Sequence, residues 1–307
     1  MFPLIVRWRK RALASRPTAR RRGRTLAGPP EGGAVPMVPL RAAGGLVPSK
    51  VADWVPWLTE LADSADRIAL DFFQHSGLRV DTKPDASPVT EADRAIEATL
   101  RAAAGARYPN LGILGEEQGA AGSPELRLII DPIDGTRNFV RGIPVFATLL
   151  AIESAGEVVA GLVSAPALRA RWWAARGAGA FRDGRRLAVS GVGALEQALL
   201  LHGNLAPGEG GPPAGIGALL RQVERTRGFG DFYQHMLVAE GAAELAIDPA
   251  MHPWDIAALQ VVVEEAGGRA TAFSGARSIY ASSFLSSNGL LHDAALRALG
   301  LPEEDVA

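Results

Sequence analysis

The hydrophobic pattern from residue 49 onward predicts two helices before the first strand of a sheet. Apolar residues recur every three or four positions in "SKVADWVPWLTELADSADRIALDFFQHSG", which predicts a helix that ends at Gly77. A second helix is predicted in "TEADRAIEATLRAAAGARYP", where Thr90 and Asp93 have the spacing of a capping box. The segment between them, "DTKPDASPV", is rich in turn-forming residues and is predicted to be a loop.

Most of residues 111–190 have the pattern of β-strands. "LGILGEEQG" is predicted to be a short strand followed by a loop, and "LRLIID" a buried strand. Further strands are predicted in "PVFATLLAIE", "EVVAGLVSAP" and "ARWWAARGAG", and a hairpin around Asp183-Gly184. After Ser190, the strands "QALLLHG" and "ELAIDP" alternate with helices at 215–226, 234–244 and 253–268. The pattern predicts two αβ halves, 49–190 and 191–307, in an α/β or α+β protein.

The composition is that of a soluble globular protein. The 307 residues are 48% hydrophobic and 21% charged, and the formal net charge of -1 gives no overall reason to expect nucleic-acid or membrane binding. The chain contains no cysteine, which excludes disulfides, thiolate zinc sites and a cysteine nucleophile, and which fits a cytoplasmic protein. No apolar run approaches the roughly 20 residues that span a bilayer.

Residues 1–48 form a basic leader that we expect to be disordered. Its first 45 residues carry nine arginines and Lys10 against Glu31 as their one acidic residue, and such a segment cannot bury a core. Three interpretations remain open: an organelle transit segment, an electrostatic tail, or a start codon assigned too early, with Met37 the true first residue. The high arginine, alanine and glycine content favours the third.

The stretch "LIIDPIDGTRN" carries the most specific chemistry in the chain. Asp131 lies at the end of a predicted buried strand, and Asp134 lies three residues later in the turn. Pro132, between them, keeps this turn rigid because its ring fixes φ. Gly135 and Thr136 then offer backbone N–H groups at the start of a helical turn, where an anion could bind. A hard divalent cation such as Mg²⁺, bridging the carboxylates and a phosphate, would explain the whole stretch. For an isolated pair, ordinary turn formation with Asp134 as a cap is the favoured explanation.

Four more acidic residues indicate a functional site only when they are considered together. Glu116 and Glu117 lie in a glycine-flanked loop, "LGEEQG", which alone is typical of a solvated loop. Asp255, in "HPWDIAAL", begins a helix, where an acid is normally a cap. Asp93 already has its capping-box explanation.

Together these pieces resemble the inositol monophosphatase family of Mg²⁺-dependent phosphomonoesterases. The matching segments are "SPVTEADRAIE", "LGEEQG", "IIDPIDGTRNFVRGIPVFATLLAI" and "PWDIAALQVVVEEAGG", and they extend over most of residues 49–300. The resemblance implies a layered αβαβα sandwich of the inositol monophosphatase / fructose-1,6-bisphosphatase type. It also implies a homodimer and two or three Mg²⁺ ions per site.

The resemblance assigns a role to each matching residue. The metal ligands would be the side chains of Glu116, Asp131, Asp134 and Asp255 and the main-chain carbonyl of Ile133. Gly135 and Thr136 would donate N–H groups to the phosphate. Thr136, Asp93 and Glu116 would serve catalysis, with Thr136 and Asp93 orienting and deprotonating the attacking water. Glu117 is not a ligand in the family pattern.

The segment "RTRGFGDFYQHMLVAEGAAELAIDP" resembles the histidinol-phosphatase branch of the family. L-histidinol phosphate bears an amino group and an imidazole, with which the carboxylates of Asp231 and Asp248 could pair, whereas inositol offers only hydroxyls. Asp231 could instead cap a helix and Asp248 could be a turn acid. Arg227 could reach the phosphate or an acidic group of the substrate, or it could simply be exposed.

Other chemistries find little support in the sequence. The histidines lack the close spacing of a zinc site: His75, His202, His235, His252 and His292. There is no P-loop, no dinucleotide fingerprint and no Gly-x-Ser-x-Gly elbow. The hypothesis is therefore a phosphatase acting on L-histidinol phosphate, in histidine biosynthesis. An inositol-1-phosphate or relaxed sugar-phosphate phosphatase is the alternative, and a catalytically inactive binding protein is the alternative from another class.

Overall fold

Helices and two β-sheets alternate in layers in the computed structural model, which describes Pro48 and residues 50–73, 80–82, 88–205 and 214–300. The helices are α1 Trp54–Phe72, α2 Glu91–Arg107, α3 Thr136–Val140, α4 Ile216–Gln222, α5 Asp231–Ala239, α6 Pro253–Glu265 and α7 His292–Ala298. Short 3₁₀ turns occupy Val51–Asp53, Pro166–Leu168 and Leu195–Gln197. Except for Pro48, the predicted leader lies outside the described residues. Within those residues, no helix combines the length and the apolar character that crossing a membrane requires.

The strands form a hairpin, an eight-stranded sheet and a five-stranded sheet. Those of the hairpin and the larger sheet are β1 Val80–Thr82, β2 Pro88–Thr90, β3 Gly112–Gly115, β4 Gly119–Ala121, β5 Leu126–Asp134, β6 Ala147–Ser154, β7 Glu157–Ala165, β8 Ala170–Ala175, β9 Gly179–Arg182 and β10 Arg185–Arg186. Those of the smaller sheet are β11 Leu199–His202, β12 Arg225–Gly228, β13 Leu245–Asp248, β14 Arg269–Thr271 and β15 Phe284–Ser287.

The larger sheet has the order β10-β9-β8-β7-β6-β5-β3-β4, and its pairs are antiparallel except for β3 with β5. The smaller sheet has the order β12-β11-β13-β15-β14; β12, β11 and β13 are mutually parallel, and β15 is antiparallel to both of its neighbours. In the sequence, all strands of the larger sheet precede residue 190, and all strands of the smaller sheet follow it.

Both faces of the larger sheet are covered, which explains why its strands are continuous apolar runs. Along β5, Leu128 and Ile130 pack with α1 and α2 on one face, while Ile129 packs with α5 and α6 on the other. The smaller sheet packs against α5 and α6 on its inner side and against α4 and α7 on its outer side. The order is therefore α, β, α, β, α, which confirms the expected sandwich.

Helix α6 is the central element of the sandwich. Its residues 256–263 are all buried, so the helix is apolar all round, as expected between two sheets. Gly161 in β7 permits the close approach, because a Cβ there would lie 2.6 Å from Val261 Cγ1 and 3.0 Å from Ala258 Cα. This packing fixes where the first turn of α6, with Asp255, points.

Most predicted elements are present, with shifted ends. The capping box of Thr90 and Asp93 is confirmed at the start of α2. The helix predicted at 215–226 is wrong at residues 223–226, because α4 ends at Gln222 and an edge strand, β12, follows. Gly77, the predicted end of the first helix, lies outside the described residues. Strands β14 and β15 and helix α7 were not predicted.

Candidate active site

The end of β5 is shaped to present both aspartates of the "DPIDGT" stretch. The pairing of β5 with β6 is regular to Asp131 and resumes at Asp134, with an irregularity between them. Thr148 Oγ1 in β6 donates to the Pro132 carbonyl at 2.8 Å and holds this irregular turn. Gly135 then adopts a φ of +81°, and a Cβ there would lie 2.9 Å from the Val145 carbonyl oxygen, so the turn requires glycine.

Three carboxylates converge at this turn. One oxygen from each of Asp131, Asp134 and Asp255 lies within 4.8 Å of the others. Asp131 and Asp134 are buried, with 1% and 9% of their surfaces exposed, and Asp255 reaches them from α6. Asp255 also forms a capping box, since the His252 N–H donates to its Oδ2 at 2.7 Å. The Asp255 side chain therefore both completes the capping box of α6 and lies in the carboxylate cluster.

Glu116 joins the cluster from the position just after β3, the strand parallel to β5. Gly115 pairs with Ile130, and the Glu116 N–H donates to the Ile130 carbonyl at 3.2 Å, which places Glu116 beside Asp131. The carboxyl group of Glu116 hydrogen-bonds that of Asp131 and lies close enough to Asp93 and Asp255 to raise the pKa of each. The structure thus brings the five predicted acids together.

Asp93 and Thr136 are each fixed by hydrogen bonds to nearby residues. Asp93 is fully buried; its Oδ2 accepts from the Thr90 N–H at 2.8 Å and from Thr90 Oγ1 at 2.5 Å. Its Oδ1 has no hydrogen-bond partner among the described residues. Thr136 Oγ1 donates to the Ile133 carbonyl at 2.9 Å, and a carbonyl oxygen keeps a second lone pair for another partner.

The electrostatics of the cluster favour a cation. Burial, and then repulsion from Glu116, raises the pKa of Asp131 well above its usual range. Burial, and then repulsion from Asp231, does the same to the pKa of Asp134. Burial is also the main cause that raises the pKa of Asp255 to about 7 and that of Asp93 to about 6.

A hard divalent cation fits these residues. The donor set consists of oxygens alone, which suits Mg²⁺ better than zinc. Asp131 Oδ1 is buried and has no hydrogen-bond partner within the described ranges, a costly state that coordination would relieve. The acids would also regain their ionised forms beside a cation.

A cavity of about 560 Å³ lies next to the cluster. Its lining comes from the turn after β5, from the ends of β11 and β13, and from the start of α5: Arg137, Asn138, His202, Gly203, Asn204, Gly228, Phe229, Gly230, Asp231, Asp248, Pro249 and Ala250. It adjoins the turn after β5, because a Cβ on Gly135 would lie 3.3 Å from Asp231 Oδ2. Two of the predicted substrate contacts, Asp231 and Asp248, therefore share one cavity.

Asp231 is held by a residue that sequence reasoning missed. Its Oδ2 accepts from Asn138 Nδ2 at 2.9 Å, and its backbone has a φ of +51°, which is uncommon outside glycine. Its side chain does not cap α5; the Phe232 N–H donates instead to Asp134 Oδ2 at 2.6 Å. Burial, and then repulsion from Asp248, raises the pKa of Asp231 to about 7.

A hydrogen bond also fixes the side chain of Asp248, which lies at the end of β13. The buried Gln234 donates from Nε2 to Asp248 Oδ2 at 2.6 Å and to the Ile247 carbonyl at 3.1 Å. Gly203 leaves room for this carboxylate, since a Cβ there would lie 2.7 Å from Asp248 Oδ1.

Arg227 does not join the site. It is exposed on β12, donates from Nη1 to the Thr226 carbonyl at 2.7 Å, and does not line the cavity. Its predicted contact with the phosphate is the one site assignment that the geometry fails to favour.

Comparisons with known proteins agree with this geometry. The model of the inositol monophosphatase family matches residues 53–300. A histidinol-phosphatase of Mycobacterium tuberculosis is 47% identical over 78% of this chain and 95% of that protein. A histidinol-phosphatase of Streptomyces coelicolor is 44% identical over 76% of this chain and 91% of that protein. Among solved structures, the extragenic suppressor protein suhB of Bartonella henselae has a TM-score of 0.74 and 32% identity, covering 81% of this chain and 98% of that one.

Proposed function

This chain belongs to the inositol monophosphatase family and is a phosphoric monoester hydrolase, and from that premise we propose that it hydrolyses L-histidinol phosphate with the help of Mg²⁺. The observation that carries the substrate assignment is the cavity in which Asp231 and Asp248 face the same space beside the acid cluster. Two carboxylates that repel each other in one cavity favour a cationic ligand, even with Arg137 on the cavity wall, because its charge leaves the pKa of Asp231 raised.

The acid cluster would hold the metal through a set of oxygens on three elements. The ligands we propose are the side chains of Glu116, Asp131, Asp134 and Asp255 and the carbonyl of Ile133, for two or three Mg²⁺ ions. Bound Mg²⁺ would supply charge neutralisation for the phosphoryl group and would lower the pKa of a nucleophilic water.

The residues around the cluster would orient the reactants. Gly135 and Thr136 lie at the first turn of α3, where N–H groups have no intrahelical acceptor and can donate to phosphate oxygens. Asp93 Oδ1, buried and without a hydrogen-bond partner in the part of the chain that the structure describes, would accept the proton of the attacking water. Thr136, fixed by its bond to Ile133, would help to orient that water.

We assign the two cavity acids to the two cationic groups of L-histidinol phosphate. The amino group of this molecule sits on the carbon next to the one that carries the ester oxygen, so its partner must lie close to the phosphate site. Asp231, which lies next to the Gly135 turn, would pair with the amino group. Asp248, at the end of β13 in the same cavity, would pair with the imidazole.

The backbone of Asp231 supports a functional role. A non-glycine residue at a φ of +51° costs free energy, and such residues concentrate at functional sites. Asn138 keeps the carboxylate in place, since its Nδ2 also donates to the Val145 carbonyl at 2.9 Å and is thereby anchored to the turn.

A comparison of three phosphate esters tests the proposal. Phosphate release from L-histidinol phosphate, from its analogue without the amino group and from inositol-1-phosphate would be measured with and without Mg²⁺. We expect kcat/KM to fall by about 10-fold or more when the amino group is removed, since a hydrogen bond to a charged group contributes about 1.5–3 kcal/mol. A preference for inositol-1-phosphate, or an equal kcat/KM for the analogue, would overturn the substrate assignment.

A further inference from the structure

Glu97 is a buried carboxylate that the site described above does not use. It lies in α2, one helical turn after Asp93, and its surface is 0% exposed. Its Oε1 accepts from Arg101 Nε at 2.7 Å and from the Gln118 N–H at 3.0 Å, and its Oε2 accepts from the Glu117 N–H at 2.7 Å. Both of its oxygens therefore accept hydrogen bonds, and two of the three donors are backbone amides of the loop that carries Glu116.

The loop around Glu116 contacts side chains of α2 at both of its ends. At its start, Gly115 has no side chain, and a Cβ there would lie 2.3 Å from Glu97 Oε1 and 2.6 Å from Glu97 Cδ. At its other end, Arg101 donates to the Gly119 carbonyl. The buried carboxylate can reach the amides only because residue 115 is glycine.

We propose that Glu97 is a positioning residue for the metal site, acting through the loop to hold Glu116 against Asp131. The inference rests on the proposed function, in which Glu116 is a metal ligand. The N–H of Glu116 donates to the Ile130 carbonyl at 3.2 Å, and the next two amides of the loop both donate to Glu97. Since α2 also carries Asp93, one rigid helix sets the positions of two site residues.

Loss of the Glu97 charge should therefore weaken metal binding. Glu97→Gln keeps the volume of the side chain but replaces an acceptor oxygen by an NH₂ group, which would face an amide donor of the loop. Changes to residues that hold a metal ligand typically reduce metal affinity 10- to 100-fold. The loop amides would seek other acceptors, and the Glu116 carboxylate would shift from Asp131.

Direct binding of Mg²⁺ to the full chain, measured by calorimetry without substrate, is the first readout. We expect the Kd of Glu97→Gln to rise about 10-fold or more over wild type. The Mg²⁺ concentration for half-maximal phosphate release should rise by the same factor. At saturating Mg²⁺, KM for the phosphate ester should change less than about twofold, because no substrate contact is altered.

Glu153→Gln is the matched control. Glu153 is also buried, at 1% exposure, and also accepts from an arginine, Arg127 Nε at 2.6 Å. It lies four residues along β6 from Leu149, the partner of Asp131, or about 13 Å at the rise of a strand. This variant should lose thermal stability and keep the Kd of wild type for Mg²⁺.

A second variant tests the same contact without changing a charge. Gly115→Ala should displace Glu97 and raise the Kd for Mg²⁺, and it replaces Glu97→Gln if that variant does not fold. Wild-type Kd values in the folded variants, or an equal loss in Glu153→Gln, would overturn the role of Glu97. Wild-type protein that binds no Mg²⁺ would instead overturn the proposed function itself, together with this inference.

Discussion

Replacing Asp131 by Asn should stabilise the metal-free protein and abolish its response to Mg²⁺. Asp131 is the most enclosed of the three converging aspartates, and its carboxyl contacts Glu116 and Asp255. Asn has nearly the same shape, removes one negative charge and can donate to a neighbouring carboxylate. The structure thus predicts opposite effects of one substitution on stability and on metal binding.

The size of the gain follows from the spacing of the carboxylates. At 4.8 Å, the limit of their separation, two unit charges repel by about 3.5 kcal/mol at an effective dielectric constant of about 20. Bound protons relieve part of this repulsion in the wild type, since the pKa of Asp131 is raised by burial and by its neighbours. We therefore expect the free energy of unfolding to rise by about 1–3 kcal/mol at pH 8 without metal. This corresponds to a Tm increase of about 2–10 °C for a protein of this size.

Thermal unfolding with EDTA and with Mg²⁺ measures both effects. At 100 times its Kd, Mg²⁺ should stabilise the wild type by about 2.7 kcal/mol, while Asp131→Asn should show no comparable shift. Phosphate release should fall to background in the variant. A less stable metal-free variant, or one whose Tm still rises with Mg²⁺, would show that Asp131 is not at the centre of a repulsive metal-binding cluster.

Three further predictions concern the cavity and the protons of the cluster. Asp231→Asn should lower kcat/KM for L-histidinol phosphate about 30-fold or more, and that for inositol-1-phosphate less than about threefold; equal losses would remove its assigned role. Asn138→Ala should raise KM for L-histidinol phosphate about 3- to 10-fold, because Asp231 loses its donor; unchanged kinetics would contradict this. Finally, the pKa of Asp255 is raised to about 7, so between pH 4 and 7 the folded protein binds more protons than the unfolded one. The Tm without metal should therefore fall as the pH rises from 5 to 8, and saturating Mg²⁺ should reduce this fall; a rise in EDTA would contradict it.

The sequence was most informative where one physical effect dominates. Strands β5 and β6 are buried on both faces, and their long apolar runs marked them directly. Helix α2 was predicted from its capping box because the partners are three residues apart.

Elements stabilised by distant polar contacts could not be predicted in the same way. Strand β15 contains two buried serines, which bond to buried histidines: Ser286 to His235 at 2.7 Å and Ser287 to His292 at 2.8 Å. No local pattern shows that these serines belong to a core. Strand β12 is a polar edge strand, and the helical pattern of α4 masked it.

The same division holds for the site. Asp131 and Asp134 share one local motif, whereas Asp255 reaches them from more than 100 residues away, and its partnership was indicated only by the family resemblance. Glu97 was missed because an acid four residues before Arg101 on a helix is typical of a solvated ion pair. Its main partners are backbone amides about 20 residues away, which side-chain patterns do not show.

Phosphate release from L-histidinol phosphate by the wild type, with Mg²⁺ and after its removal by EDTA, tests the central claim most directly. Rapid release that stops in EDTA, returns with added Mg²⁺ and exceeds release from inositol-1-phosphate is the predicted result. Release that persists unchanged in EDTA, or no release from this ester under any metal condition, would contradict the account.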